Sequence, residues 1–179
     1  MEAYLHQIEQ AELNDGFWTH RLVNDLNSSS SATGAYLCYL AAQCKNNDHA
    51  FLSDSVTVNS LLQQRGDQHH LFPKNYLTQH GYKKNDYNQV ANYVFIEQQT
   101  NIKLSDDAPL IYMQKVKNDI ATQGMALTSI KSKEAWAQNM AANCIPFDLN
   151  TATHQDYAQF LEKRRKLMAE KIRRYYENL

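Results

Sequence analysis

Over residues 157–179 the side chains Tyr157, Leu161, Met168, Ile172, Tyr175 or Tyr176 and Leu179 recur at helical spacing. Lys163, Arg164, Lys166, Lys171 and Arg174 populate the other faces. A stripe of that length is stable only when it is buried against other elements. The first half of the chain reads as further helices over residues 17–26, 36–44 and 56–64. The second shows Leu37, Leu40, Ala41 and Cys44 on one face. The third follows the capping candidates Ser53, Asp54 and Ser55 and stops at Arg65-Gly66. With 179 residues and 43% hydrophobic composition there is enough apolar surface for the core of one domain.

From Asp67 the texture changes. A short segment through His69-His70-Leu71 ends at Pro73, and residues 90–96 are rich in β-branched and aromatic side chains, so two strands are predicted, joined by a long loop containing Gly81. A helical turn after Thr100 carries Asn101, and Asp106-Asp107-Ala108-Pro109 reads as the start of another helix, with proline in the first turn. The expected fold is therefore mainly α, with a small β-β-α unit embedded in a helical domain. Residues 1–50 form an N-terminal helical segment, 51–125 the core carrying that unit, and 126–179 a C-terminal helical extension on the same domain. A wholly helical scaffold is the rival, and it has no β-β-α unit. The serine-rich stretch 27–33 reads as a loop.

The net charge of −1 gives no hint of a polyanionic partner, but its distribution does. Residues 160–179 hold seven Lys or Arg against three Glu, a net of +4, which leaves −5 on the other 159 residues. The three cysteines, Cys38, Cys44 and Cys144, form no C-x-x-C pair, so neither a disulfide framework nor a four-cysteine zinc clamp is indicated. No segment reads as a signal peptide or a membrane span, and the expectation is a soluble, cytoplasmic protein.

The segment His69-His70-Leu71-Phe72-Pro73, with Asn92 and Asn101 downstream, holds the residue types that one-metal phosphodiester hydrolysis needs: a base for water, ligands for the ion, and a group that fixes the base. With 16 Asn in the chain, neither Asn is informative alone. An adjacent His pair followed by Pro three positions on arises by chance in below about one such chain in a hundred, so the constellation carries the signal.

These residues resemble the Asp/His-His-Ile-x-Pro opening, middle Asn and final Asn of the HNH (His-Me finger) nucleases. The match widens over Gln68-His69-His70-Leu71-Phe72-Pro73-Lys74-Asn75-Tyr76-Leu77, Asn88-Gln89-Val90-Ala91-Asn92 and Asn101-Ile102-Lys103-Leu104-Ser105-Asp106-Asp107-Ala108-Pro109, and again in the tail from Tyr157. There the chain is similar to the C-terminal region of bacterial GmrSD-like restriction proteins, which join a ParB-like domain to an HNH nuclease. It departs from them in having Asp15-Gly16-Phe17-Trp18-Thr19 where an Asp-Gly-x-x-Arg motif is usual, and in lacking a Gly-rich phosphate loop. The expectation is the nuclease end alone, with NTP dependence not carried over and a ParB-like domain or subunit as a partner outside this chain.

The resemblance implies a metal-dependent endonuclease that hydrolyses DNA in restriction or phage defence. His70 would be the general base, Asn92 the residue that holds its loop, and His69 and Asn101 the ligands of Mg²⁺ or Mn²⁺, with Zn²⁺ or Ni²⁺ as other occupants. Adjacent strand residues face opposite sides, so which histidine is base and which is ligand stays open. Lys74, Lys103, Arg164, Arg165 and Arg174 are the candidate DNA contacts. Each role has a plainer rival: a hydrogen-bonded core histidine, a turn asparagine, a solvated cationic face. The alternative function is a catalytically silent DNA-binding or interaction module of a split restriction system.

Overall fold

The computed structural model describes residues 2–64, 66 and 68–179. Among these the chain runs α1 (Glu2–Glu12), a π-helical turn (Phe17–Arg21) leading into α2 (Leu22–Asp25), α3 (Gly34–Lys45), α4 (Val58–Gln63), β1 (Gln68–His70), α5 (Lys74–Gln79), α6 (Lys84–Tyr87), a 3-10 turn (Val90–Asn92), β2 (Tyr93–Phe95), α7 (Gln98–Leu104), α8 (Pro109–Thr122), α9 (Lys133–Ala142), two 3-10 turns (Phe147–Thr151 and His154–Asp156) and α10 (Tyr157–Glu177). The fold is mainly helical with one two-stranded antiparallel sheet. No helix among the described residues is long and apolar enough to cross a membrane. Cys38, Cys44 and Cys144 are all free.

α10 starts where the Thr153 N–H and hydroxyl both donate to Asp156 Oδ2 at 2.9 Å, turning the chain into the helix. Its buried stripe of Phe160, Leu161, Met168, Ala169 and Ile172 lies against α3, α2 and the π-helical turn. Fully burying a Met or Ile side chain is worth about 1.5–3 kcal/mol, so the stripe holds α10 far more firmly than helix propensity does. One core cluster runs from Trp18 to Ile172 and takes residues from all three of the segments expected from sequence.

Several boundaries differ from the sequence reading, each for a local reason. The third helix starts at Val58 because Thr57 caps it, its hydroxyl accepting from Ser60 N at 3.2 Å. The Ser53 hydroxyl instead accepts from Val56 N at 3.1 Å and shapes the turn before it. The loop expected around Gly81 is two short helices, α5 and α6, and Gly81 makes the turn between them with φ of 88°. The second strand covers only Tyr93–Phe95 because residues 90–92 coil into a 3-10 turn that folds Asn92 inward. α9 has no counterpart in the sequence reading, although its cap Ser132 and the buried pair Trp136 and Met140 at i, i+4 mark it. Arg65 and Asp67, read as part of a helix stop and as the start of the strand region, lie outside the described residues.

α9 steadies the sheet from behind. Asn139 accepts from Leu52 N at 3.0 Å and donates to Ala50 O at 2.9 Å, fixing a segment whose Phe51 N–H donates to Phe95 O at 2.8 Å on the free edge of β2. That edge is thereby partly covered.

Candidate functional site

β1 and β2 pair with His69 opposite Val94 and His70 opposite Tyr93. Side chains alternate along a strand, so the two histidines leave the ribbon on opposite faces. Just past β1 the chain must turn sharply into α5, and Asn92 fixes that turn. Asn92 is fully buried. Its Oδ1 accepts from Phe72 N at 2.8 Å, and its Nδ2 donates to Phe72 O and Tyr87 O, each at 3.1 Å. The backbone adds Leu71 N to Asn92 O at 2.9 Å, and the Tyr112 hydroxyl donates to Leu71 O at 2.7 Å. Each unmade bond to these buried groups would cost about 1–3 kcal/mol, so Asn92 has little freedom to be anything else.

His70 stands between the rings of Tyr93 and Tyr87, at centroid distances of 5.0 and 6.2 Å. Its Nε2 lies 3.0 Å from Asn88 Oδ1. An amide oxygen only accepts, so Nε2 carries the ring proton and Nδ1 holds the basic lone pair. Burial pushes the His70 imidazole below its ordinary pKa, the Asn88 bond opposes that, and the Lys74 charge lowers it further. It is therefore neutral at pH 7, as a proton acceptor must be.

His69 faces the interior, edge-on to Tyr112, and its Nδ1 is 2.8 Å from Asn101 Oδ1 on α7. Nδ1 must be the donor there, which leaves Nε2 buried with no partner. Burial is the largest influence and pushes His69 down to about 4, against the Asn101 bond and the Asp106 carboxylate and with the His70 charge. Asp106 is itself held by Asn75 Nδ2 at 2.6 Å.

The His69–Asn101 pair bears directly on whether an ion fits. Two neighbouring ligands of an octahedral Mg²⁺ or Mn²⁺, each about 2.1 Å from the ion, stand about 3.0 Å apart. Nδ1 and Oδ1 are 2.8 Å apart, but with the Nδ1–H aimed at Oδ1, so an ion would have to displace that proton and turn both groups toward itself. Among the described residues no group of three His, Cys, Asp or Glu side chains gathers around a common point, so water and substrate oxygens would complete the sphere. Ligation through Nδ1 moves the ring proton to Nε2, which is buried without a partner in either tautomer, and gives up the hydrogen bond to Asn101. An ion held by this pair would have to replace the His69–Asn101 hydrogen bond and would keep open positions, so it would be weakly held.

The structure thus joins His69 to Asn101 and sends His70 to Asn88. Three-way convergence of His69, His70 and Asn101 is not what the hydrogen bonds make, because the ribbon alternates. Sequence reasoning gave Asn88 no role, although its place four residues before Asn92 on the same connection was the available signal.

The cations sort differently. Lys74 is exposed at the start of α5 and acts on His70. Lys103 reaches across to Ala126 O at 2.7 Å. Arg174 is exposed and 3.8 Å from Glu170. Arg165 is half-buried, with Nη1 at 3.2 Å from Asn27 Oδ1. Arg164 is a correction: it is 0% exposed and donates to Ala91 O at 2.9 Å and Asn143 O at 3.2 Å, so it cannot meet a phosphate.

Stability against pH reports the state of His69. Its folded pKa of about 4 lies below the ordinary 6.5, so the unfolded chain binds the extra proton between those values. Its contribution is complete above about pH 6.5 and is lost as pH falls toward 4, about 3 kcal/mol in all. Urea unfolding from pH 7.5 to 4 should show a steeper slope in the parent than in His69→Gln, the remainder coming from groups such as His70, whose pKa burial also lowers. Parallel slopes in the two proteins would show that His69 is not buried neutral.

Comparison of the chain with protein-family models, curated proteins and solved structures gives no match.

Proposed function

We propose that this protein is a metal-dependent endonuclease of the HNH type, in which β1, β2 and α7 make up the β-β-α unit and DNA is the substrate. The observation that supports it most is the Asn92 clamp. An asparagine 22 residues beyond His70 in sequence holds both backbone groups of Phe72 on the turn that leaves the His70 strand, the part the resemblance gave it. His69 beside Asn101 is a second point in its favour.

In this reading His70 takes the proton of the attacking water on Nδ1 while Asn88 keeps Nε2–H engaged, so the ring cannot turn its lone pair away. The water oxygen forms the new bond to phosphorus, and the sugar oxygen opposite leaves with the bonding pair. His69 and Asn101 would hold the ion, Mg²⁺ or Mn²⁺, which when bound polarises the phosphate and stabilises the leaving oxygen; because the two histidines leave the ribbon on opposite faces, this requires the phosphate to bridge them around the strand edge. Both ligands are neutral, so the ion's charge is not offset by them. Lys74, next to the base, suits a flanking phosphate. A restriction or phage-defence system is the proposed setting, with a ParB-like domain or subunit as the companion.

The second reading, a DNA-binding module without turnover, is favoured by one observation: His69 Nδ1 is already engaged by Asn101 Oδ1 at 2.8 Å, a bond that an ion would have to replace. Plasmid nicking decides between them. The nuclease reading expects relaxation of supercoiled plasmid in Mg²⁺ or Mn²⁺ and none with excess chelator. Binding of duplex DNA without any nicking in either metal would leave the module.

A further inference from the structure

On the side of α6 away from His70 lies an open cleft of about 590 Å³, walled by the α5–α6 turn, the 3-10 turn His154–Asp156 and the first half of α10. Asn27, His80, Tyr82, Asp86, His154 and Arg165 are among its lining residues. We propose that this cleft binds a backbone phosphate of nucleic acid, with Arg165 as the anchoring cation and Lys83 and Lys84 as its exposed basic rim. The inference rests on the nucleic-acid reading above and extends it to a subsite for the strand beyond the cut.

Three features carry it. Arg165 is half-buried, yet its hydrogen-bond partner is the neutral amide oxygen of Asn27 at 3.2 Å, and among the described residues it forms no ion pair. A guanidinium taken partly out of water without an ion-pair partner offers its planar fork to phosphate. Burial lowers its pKa, with the Glu162 and Tyr157 charges opposing. Secondly, Asp86 is the one acidic residue in the lining, and its Oδ2 is committed to Lys83 N at 2.7 Å at the start of α6. Lys83 and Lys84 beside it are exposed and form no ion pair among the described residues.

Thirdly, the far wall is built rather than loose. The imidazoles of His80 and His154 stack at 3.8 Å and 23°. His80 Nδ1 donates to Tyr76 O at 2.8 Å, the Tyr76 hydroxyl accepts from His154 N at 2.9 Å, and the Tyr82 hydroxyl donates to His154 O at 2.8 Å. A fixed flat π surface and a cation lining one cleft form a combination suited to holding a nucleotide by stacking and charge together. The cleft is also close to the chemistry, because α6 is a single turn: Asn85 and Asp86 line the cleft, and Tyr87 packs on His70.

The test is fluorescence anisotropy with labelled duplex DNA at several salt concentrations, in Ca²⁺ to suppress cleavage. Arg165→Gln should flatten the slope of log affinity against log salt by about 0.9, and the double variant Lys83→Gln/Lys84→Gln by about 1.8, one lost phosphate contact per cation. The double variant is at exposed positions and guards against a folding artefact at Arg165. Unchanged affinity and slope in both proteins, or no DNA binding by the parent, overturns the proposal. The nuclease reading is judged separately by nicking with His70→Ala: weakened binding in the cleft variants together with undiminished nicking by His70→Ala would keep the subsite and remove the proposed base.

Discussion

His70→Ala should lower plasmid nicking in Mg²⁺ or Mn²⁺ by about 10²- to 10⁴-fold, the usual cost of deleting a positioned general base, and leave DNA binding in Ca²⁺ near that of the parent. The fold should survive, since the substitution removes one hydrogen bond to Asn88, worth about 1 kcal/mol, and part of a contact between two tyrosine rings. Asn88→Ala gives a finer version of the same test. The Asn88 bond raises the His70 pKa, so losing it lowers that pKa, and the acid limb of the pH–rate profile should move to lower pH. A residue that only braces the loop would change the rate without moving the limb. Chelator-sensitive nicking at the parental rate by His70→Ala would place the base elsewhere.

Much of the candidate site was legible because its residues are fixed by short-range geometry. β1 ends just before Pro73, the apolar run around Tyr93 pairs with it, and Asn101 follows within the first turn of α7, so four residues spread over 33 positions lie on one ribbon and helix, with His69 beside Asn101 and His70 on the other face. The partner of His70 was not legible. Asn88 reaches it only because residues 84–92 coil into α6 and a 3-10 turn, and a chain stretch with no strong period of its own takes that shape from Asn92 and Tyr157, whose hydroxyl donates to Asp86 O at 2.9 Å. The stabilising contacts are long-range, which a local pattern does not contain. The cleft behind α6 was missed for the same reason, since His80 and His154 are 74 residues apart and no local pattern joins them.

Arg164 shows the opposite failure, a signal present in the sequence but taken with the wrong sign. Counting by four from Phe160 gives Arg164, Met168 and Ile172, so the arginine stands on the apolar stripe of α10 and not on its charged faces. Its guanidinium ties α10 to the 3-10 turn of Ala91, next to Asn92, and to Asn143 at the end of α9, while Nε has no partner. It is therefore a strut under the His70 turn. Arg164→Ala should cost about 3–5 kcal/mol, because it empties a buried volume and leaves the Ala91 carbonyl without its donor. In a chain of this size that lowers the melting temperature by about 6–20 °C. Arg164→Met refills the volume and removes the desolvated charge, so it should recover a large part of the loss. Asn143 O keeps the Tyr39 hydroxyl at 3.1 Å in either variant. In the folded fraction of both proteins the salt dependence of DNA binding should match the parent, in contrast to Arg165→Gln. A flattened salt slope in Arg164→Met with an unchanged melting temperature would mean that Arg164 reaches phosphate after all, and that α10 does not hold it inside.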